Sequence, residues 1–231
     1  RRVCPSSTHG VDCLDDHPNL DFGAQHVRYG FGVQPKSDRL LDDDISSNHK
    51  RNIKRAEKNG ASLVSLPGPQ ALAAHLALIS QSVQRRARRG EPTNLASDAA
   101  TVNEVTQTGA ARLYQAVVAG EVVSSKLVFT LDEYAYYDSG GTSEKGMSMG
   151  TSHFLMYAII KDLRNRGVRW LNLDVASAAA GGLARYKTEF GADIWEVDRV
   201  ACDLASIPRL AINALRSALG RGHASRAIGR L

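Results

Sequence analysis

The sequence has few cysteines and no long apolar run. Its three cysteines, Cys4, Cys13 and Cys202, are too scattered for a disulfide framework or a zinc site, so we expect a reducing cytoplasm as the setting. No stretch approaches the roughly 20 apolar residues of a membrane-spanning helix, and no signal peptide is visible. An initiator methionine is also missing, so we expect the chain that begins at Arg1 to be a fragment or a processed piece.

The overall composition is typical of a soluble globular protein. Hydrophobic residues make up 43% and charged residues 23% of the 231 residues, which is enough to bury a sizeable core. The formal net charge is +5, and the isoelectric point is near 9.2. This balance weakly favours anionic partners such as nucleotides, tRNA or a membrane surface.

The most informative stretch covers residues 134–173, YAYYDSGGTSEKGMSMGTSHFLMYAIIKDLRNRGVRWLNL. It predicts a strand, a glycine-rich loop, a long apolar helix and a second strand. We expect Thr151 or Ser152 to cap the helix and Gly167 to end it. A glycine-rich loop before a helix N-terminus suits an anion, because free N–H groups and the helix dipole point at the ligand. A plain strand–loop–helix connection explains the pattern equally well.

A second informative segment is residues 46–60, SSNHKRNIKRAEKNG. It predicts a helix that is capped by Ser47 or Asn48 and ended by Gly60. Apolar residues fall on one face, and the opposite face is cationic, with Lys50, Arg51, Lys54, Arg55 and Lys58. This cationic face is either a solvated surface or a contact for phosphate or nucleic acid.

The rest of the chain predicts alternating short strands and helices. The predicted strands cover 26–33, 61–66, three antiparallel segments within 110–141, 169–175 and a segment from 193; further helices cover 70–89, 97–107, 179–189 and a region from 206. Because a helical crossover joins the third strand of the meander to the strand at 169–175, that pair must be parallel. The expected fold class is α/β (α+β), with a mixed, mainly antiparallel central sheet flanked by helices.

This order of elements resembles the GNAT acyltransferase fold. Four segments are similar to its FemAB-like branch, which includes peptidoglycan-bridge aminoacyltransferases and acetyltransferase domains of exopolysaccharide systems: HKRNIKRAEKNG, GEVVSSKLVF, YAYYDSGGTSEKGMSMGTSHFLMYAIIKDLRNRG and GGLARYKTEFGA. The resemblance covers roughly residues 26–200. It implies three regions: 1–60 as the end of a first GNAT-like half with its basic helix, 61–205 as a GNAT-like acyltransferase domain, and 206–231 as a C-terminal helix and basic tail.

The resemblance implies an N-acyltransferase that needs no metal. The donor would be acetyl-CoA or another acyl-CoA, or alternatively aminoacyl-tRNA. The acceptor would be an amine of a small-molecule or lipid-linked precursor of the cell envelope or of a polysaccharide. A catalytically silent GNAT-like module, which binds nucleic acid or an anionic precursor through the basic helix, stays open as the alternative.

Candidate catalytic residues lie in two of the matching segments and in the strand between them. Lys187 matches the lysine of the family pattern GLxxFKxxFG, where it resembles a stabiliser of charge near the donor. Tyr137 ends a strand at the glycine-rich loop, where an acceptor amine would meet it. Asp174, near the end of the following strand, is a candidate base, although packing or a turn cap explains it as well. Glu189 is a further candidate, because many GNAT enzymes use a glutamate.

Donor binding is predicted at the glycine-rich loop, through Gly140, Gly141, Lys145, Gly146 and Gly150. Substrate binding is predicted at the basic helix, through Lys50, Arg51, Lys54 and Arg55. The loop departs from the acetyl-CoA signature of GNAT enzymes, Q/R-x-x-G-x-G/A. Because of that departure, the identity of the donor stays open: it is acyl-CoA or aminoacyl-tRNA, or the loop has lost donor binding altogether.

Overall fold

The computed structural model describes residues 28–35, 38–65, 67–90, 98–177 and 181–197, which form seven strands and seven helices. The strands are β1 (Arg28–Val33), β2 (Ser62–Val64), β3 (Ala111–Val118), β4 (Glu121–Leu131), β5 (Tyr134–Thr142), β6 (Trp170–Ser177) and β7 (Asp193–Val197). The helices are α1 (Asp38–Asp44), α2 (Ser47–Lys58), α3 (Pro69–Arg88), α4 (Ala99–Gln107), α5 (Glu144–Ser148), α6 (Thr151–Asn165) and α7 (Gly181–Thr188). The helix and basic tail predicted beyond residue 206 lie outside the described residues.

All seven strands belong to one sheet, in the order β2-β3-β4-β5-β6-β1-β7. Neighbouring strands are antiparallel except for β5 and β6, which the α6 crossover makes parallel. The predicted mixed, mainly antiparallel sheet is therefore confirmed, and so is the parallel pair. The position of β1, which lies between β6 and β7, was not predicted.

The two faces of the sheet are covered by different helices. On one face, α6 buries Leu155, Ile159 and Leu163 completely in the main core, together with Val128 of β4. On the other face, a smaller core joins strands β3 and β4 to α3 and α4 around Leu127. Within the described part of the chain, no helix combines the length and apolar character needed to cross a membrane.

Residues 28–60 share this sheet and core with the residues that follow them. Strand β1 pairs with both β6 and β7, and α2 packs against α6. No break in the sheet therefore marks the boundary that the sequence predicted at residue 60. That residues 1–60 end a preceding GNAT-like half stays a prediction.

The helix caps differ from those predicted. Helix α6 has Gly150 as its N-cap, with a φ of 78° and no side-chain hydrogen bond, so the predicted cap at Thr151 or Ser152 is wrong. Both hydroxyls bond elsewhere: Thr151 Oγ1 donates to the Gly146 carbonyl at 3.0 Å, and Ser152 Oγ lies 3.2 Å from the Tyr186 hydroxyl. Helix α2 is capped one residue earlier than predicted, by Ser46. The predicted left-handed stop at Gly167 is confirmed, with a φ of 82°.

Close packing at Gly141 leads to a first prediction. A Cβ atom at this position would lie 2.2 Å from the backbone carbon of Leu78 on α3, which cannot move aside as a flexible side chain can. We expect Gly141→Ala to lower the free energy of unfolding by about 3 kcal/mol, measured by urea denaturation. The matched control is Gly181→Ala, where the added carbon would meet no described atom within 4 Å apart from its chain neighbours and the backbone of its own helix. Equal stability of the two variants would contradict the packing at Gly141.

Candidate active site

Strands β5 and β6 separate shortly after they pair. Their parallel pairing joins residues 134–136 to residues 170–172, while β5 continues to Thr142 and β6 to Ser177. We call the opening between residues 137–142 and residues 173–177 the wedge. Backbone N–H and C=O groups along its edges have no partner from the opposite strand, so an extended ligand arm can bond to them.

A bulge at Asp174 lies at the start of the wedge. Phe31 of β1 faces two residues of β6 there, and Asp174 has a φ of 67°, in the left-handed region. Asn172 Oδ1 accepts the Asp174 N–H at 2.7 Å, and the Tyr136 hydroxyl donates to Asp174 Oδ1 at 3.1 Å. A bulge bends its strand and redirects the side chain at that point. Backbone strain of this kind is concentrated at functional sites, and that favours Asp174 as a site residue.

Lys187 of α7 is buried beside the same bulge. Its side chain is 3% exposed, and Nζ donates to the Val175 carbonyl at 3.0 Å and lies 5.2 Å from the centroid of the Phe31 ring. Burial lowers the pKa of Lys187 to about 8, and the negative charge of Asp174 opposes this shift. The ammonium group therefore lies at the β6 side of the wedge, within electrostatic range of Asp174.

Tyr137 stands on the β5 side of the wedge. Burial raises its pKa, and the charges of Asp174 and Asp138 raise it further, so its hydroxyl stays protonated at neutral pH. The field of Asp174 thus reaches both Tyr137 and Lys187. The three predicted catalytic residues surround one opening, and their catalytic roles stay a prediction.

The sequence did not single out Lys126 of β4, which also lies at the wedge. The side chain is 4% exposed, with Nζ 3.4 Å from Ser152 Oγ and 5.0 Å from the centroid of the Tyr137 ring. Its register partner is Gly140, which leaves room for a long side chain. The position of Lys126 opposite a glycine can be recognised only once the pairing of β4 with β5 is known.

Aromatic and imidazole rings hold α7 against α2 and α6. His49 of α2 and His153 of α6 meet edge to face with centroids 4.5 Å apart, and Phe190 lies 4.4 Å from His49. His49 Nε2 donates to the Tyr186 carbonyl at 3.0 Å. Burial lowers the pKa of His153 to about 4 and also lowers that of His49, so both rings are neutral at pH 7.

Glu189 joins the end of α7 to the start of α2. Its carboxylate accepts hydrogen bonds from Arg185, Ser46 and Asn48. The bond from Arg185 is the main reason why the pKa of Glu189 falls to about 2. His49 Nδ1 lies 3.0 Å from the same carboxylate, but without the geometry of a hydrogen bond. A carboxylate with so low a pKa is a weak base, so its contacts favour a structural role.

The glycines of the predicted donor loop are packed tightly against the protein itself. A Cβ atom at Gly146 would lie 2.5 Å from the Val123 carbonyl oxygen, and one at Gly150 would lie 2.4 Å from that of Asn52. Close packing is thus a sufficient reason for glycine at these positions, and at Gly141. Lys145 forms an ion pair with Glu121. The donor-binding role of Gly140, Gly141, Lys145, Gly146 and Gly150 stays a prediction.

Helix α2 has the two faces that the sequence predicted. His49, Ile53 and Ala56 are buried, whereas Arg51, Lys54 and Arg55 are exposed and Lys50 is half-buried. Arg55 Nη1 donates to the Ser148 carbonyl at 3.3 Å, which ties α2 to the C-terminal end of α5. The predicted substrate contacts of these cations stay a prediction. Among the described side chains, no group of three or more potential metal ligands is assembled.

Residues 45–188 match the family model described as Acetyltransferase (GNAT) domain. The chain belongs to this family. A comparison with curated proteins finds no match. The match covers three of the four segments that resembled the FemAB-like branch and the first eight residues of the fourth, GGLARYKT, and the predicted family and fold are confirmed.

Three solved structures share this fold at low sequence identity. A crystal structure of FemX superimposes with a TM-score of 0.61 at 13% identity, over 72% of this chain and 59% of FemX. L-PGS from Bacillus licheniformis has a TM-score of 0.51 at 12% identity, over 81% of this chain and 64% of that chain. The C-terminal domain of a protein described as a lysylphosphatidylglycerol synthetase from Agrobacterium fabrum has a TM-score of 0.51 at 14% identity, over 74% and 60%. This GNAT chain thus spans less than two thirds of each neighbour.

The buried imidazole of His153 predicts sensitivity to acid. The ordinary pKa of histidine is 6.5 and that of folded His153 is about 4, so between these values the unfolded chain binds a proton that the folded chain does not. The free energy of unfolding must therefore fall as the pH falls from about 6.5 to 4. We expect His153→Gln to make this slope shallower in urea denaturation, while His75, whose pKa is also about 4, keeps part of it. An unchanged slope would show that His153 titrates normally in the folded protein.

Proposed function

We propose that this GNAT chain is an N-acyltransferase whose reaction takes place in the wedge. The observation that carries the proposal is the early end of the β5–β6 pairing, just before a bulge whose residue Asp174 acts electrostatically on both Lys187 and Tyr137. Acyl transfer to an amine needs an aligned donor and acceptor, a proton acceptor and a positive group near the carbonyl oxygen. The wedge offers a candidate for each of these.

The residues are assigned as follows. The unpaired edge of β5 aligns the acyl arm of the donor. The acceptor amine attacks the donor carbonyl and gives up its proton to the Asp174 carboxylate. The Lys187 ammonium stabilises the negative charge on the carbonyl oxygen, because burial keeps water away from it. The protonated Tyr137 hydroxyl donates a hydrogen bond to the leaving thiolate or alkoxide, which then takes up the proton that Asp174 removed from the amine.

For the donor we propose acyl-CoA, with aminoacyl-tRNA as the alternative. Membership of the acetyltransferase family supports acyl-CoA as the donor. The similarity of fold to FemX supports the FemAB-like alternative. For the acceptor we propose an amine on a small or lipid-linked cell-envelope or polysaccharide precursor in the cytoplasm. A neighbour described as a lysylphosphatidylglycerol synthetase supports a lipid-linked acceptor.

The proposed roles predict the effect of two substitutions on turnover. Lys187→Met removes the positive charge and keeps the length of the side chain, and Asp174→Asn removes the base. We expect each to lower kcat by about 100-fold or more, because each group acts on the reacting atoms. Transfer of a radiolabelled acetyl group from acetyl-CoA to a panel of amino sugars and lipid-linked amines measures this.

Matched controls separate these effects from general damage. Asp193→Asn on β7 and Lys161→Met on α6 change the same residue types away from the wedge. We expect both to retain wild-type turnover, and circular dichroism to show that all four variants fold. Full activity of Lys187→Met and Asp174→Asn would overturn the site assignment. Failure of the full-length protein to transfer any acyl group would favour a silent module.

The silent module remains the second candidate because the outer face of α2 is strongly cationic. Arg51 and Lys54 are exposed there, and a polyanion would relieve the repulsion between neighbouring cations. If the aminoacyl-tRNA or silent-module alternative holds, we expect tRNA to bind with an affinity that falls steeply between 50 and 200 mM salt. The variant Arg51→Gln/Lys54→Gln should bind more weakly, as measured by filter binding. If acetyl-CoA instead raises the melting temperature and tRNA does not bind, acyl-CoA is the donor.

A further inference from the structure

The side chain of Lys126 extends toward the wedge across Gly140. It lies on β4 opposite Gly140 of β5, and a Cβ atom on Gly140 would be 3.1 Å from Lys126 Cγ. The side chain extends over β5, so that Nζ lies 5.0 Å from the centroid of the Tyr137 ring and 5.8 Å from that of Tyr186 on α7. The ammonium group therefore lies between β5 and α7, the helix that packs on β6.

The Lys126 ammonium is buried without a counter-ion from the described residues. Only 4% of the side chain is exposed, and its hydrogen-bond partner is the neutral Ser152 Oγ at 3.4 Å. An ammonium group has three N–H donors, and this long bond uses one of them. The tyrosine faces supply only part of the lost hydration. A buried positive charge in this state favours an anionic ligand.

We propose that Lys126 binds a carboxylate group of the substrate that enters the wedge. The inference rests on the proposed function, because it takes the wedge as the place of acyl transfer. It gives Lys126 a role distinct from that of Lys187, whose Nζ already donates to the Val175 carbonyl beside the bulge. The carboxylate has two possible sources, either the acyl group of the donor or the acceptor molecule.

The charge state of Lys126 gives the carboxylate a pH-dependent affinity. Burial lowers the pKa of Lys126 to about 8, so the group is mostly charged at pH 7 and mostly neutral at pH 9. The titratable groups that face it are Tyr114 of β3, Tyr137 of β5, His153 of α6 and Tyr186 of α7. Burial keeps all of these uncharged between pH 7 and 9. Lys187, whose pKa is also about 8, titrates in the same range, so a variant is needed to assign the effect.

The test compares probes that differ by one carboxylate. Succinyl-CoA and acetyl-CoA form the donor pair, and alanine and alaninamide form the acceptor pair. Binding is measured by calorimetry at pH 7 and pH 9 for wild type, Lys126→Met, Lys126→Arg and the control Lys161→Met. In one of the two pairs, we expect wild type and the control to bind the probe with the carboxylate at least 10-fold more tightly at pH 7 than the probe without it. This preference should disappear in Lys126→Met, persist in part in Lys126→Arg and weaken in wild type at pH 9.

The outcomes separate this inference from the proposed function. A preference that survives in Lys126→Met, or the absence of a preference in both pairs, overturns the carboxylate site. An effect of Lys126→Met on kcat alone, with unchanged binding, also overturns it, because Lys126 would then act on the transition state. Should Lys126→Met fail to fold, Lys126→Arg decides: arginine stays charged at pH 9, so its preference should persist there while that of wild type weakens. An equal loss in both would assign the effect to Lys187 and overturn the carboxylate site. If the protein binds the carboxylate probe but transfers no acyl group, the carboxylate site at Lys126 is supported and the proposed N-acyltransferase function is contradicted.

Discussion

The structure of the site depends on how β6 pairs with its two neighbouring strands, β5 and β1. Beyond the bulge at Asp174, β6 stays paired with β1 through residues 175–177 and no longer pairs with β5. A bulge increases the local twist of a strand. Because β6 remains paired with β1 beyond the bulge, it turns away from β5 and the β5–β6 pairing ends. The opening that results is a direct product of this geometry and needs no separate cavity in the core.

Two buried lysines approach this opening from opposite sides. Lys187 comes from α7 and is anchored on the β6 backbone, whereas Lys126 comes from β4 across β5. Each loses hydration on burial, and among the described residues neither forms an ion pair. Burying a charge without an ion-pair partner opposes folding, so the sheet carries an electrostatic cost that an anionic ligand can offset. The ring cluster of His49, His153 and Phe190 keeps α7 in place despite that cost.

Sequence patterns predicted the strands and helices whose formation depends on residues close together in the chain. Short patterns in the sequence predicted the three antiparallel strands within 110–141 and the long apolar helix α6. The place of β1 in the sheet could not be predicted, because its partners lie far away in the chain and no short pattern encodes them. The same limit applies to the site: Asp174 was a candidate by position, but its left-handed backbone depends on the pairing of β6 with β1. Lys126 gave no signal, because its burial depends on its register with Gly140.

The position of β1 also sets an order of events during synthesis. This strand is made first among the described strands, yet both of its partners, β6 and β7, come last. While the ribosome is still making β2 to β5, β1 has no native partner, and both of its edges are free to pair with other chains. The final pairing step closes a very long loop, and such long-range closures are slow. Because the bulge at Asp174 depends on the pairing of β6 with β1, the opening between β5 and β6 takes its final shape only after this late pairing step.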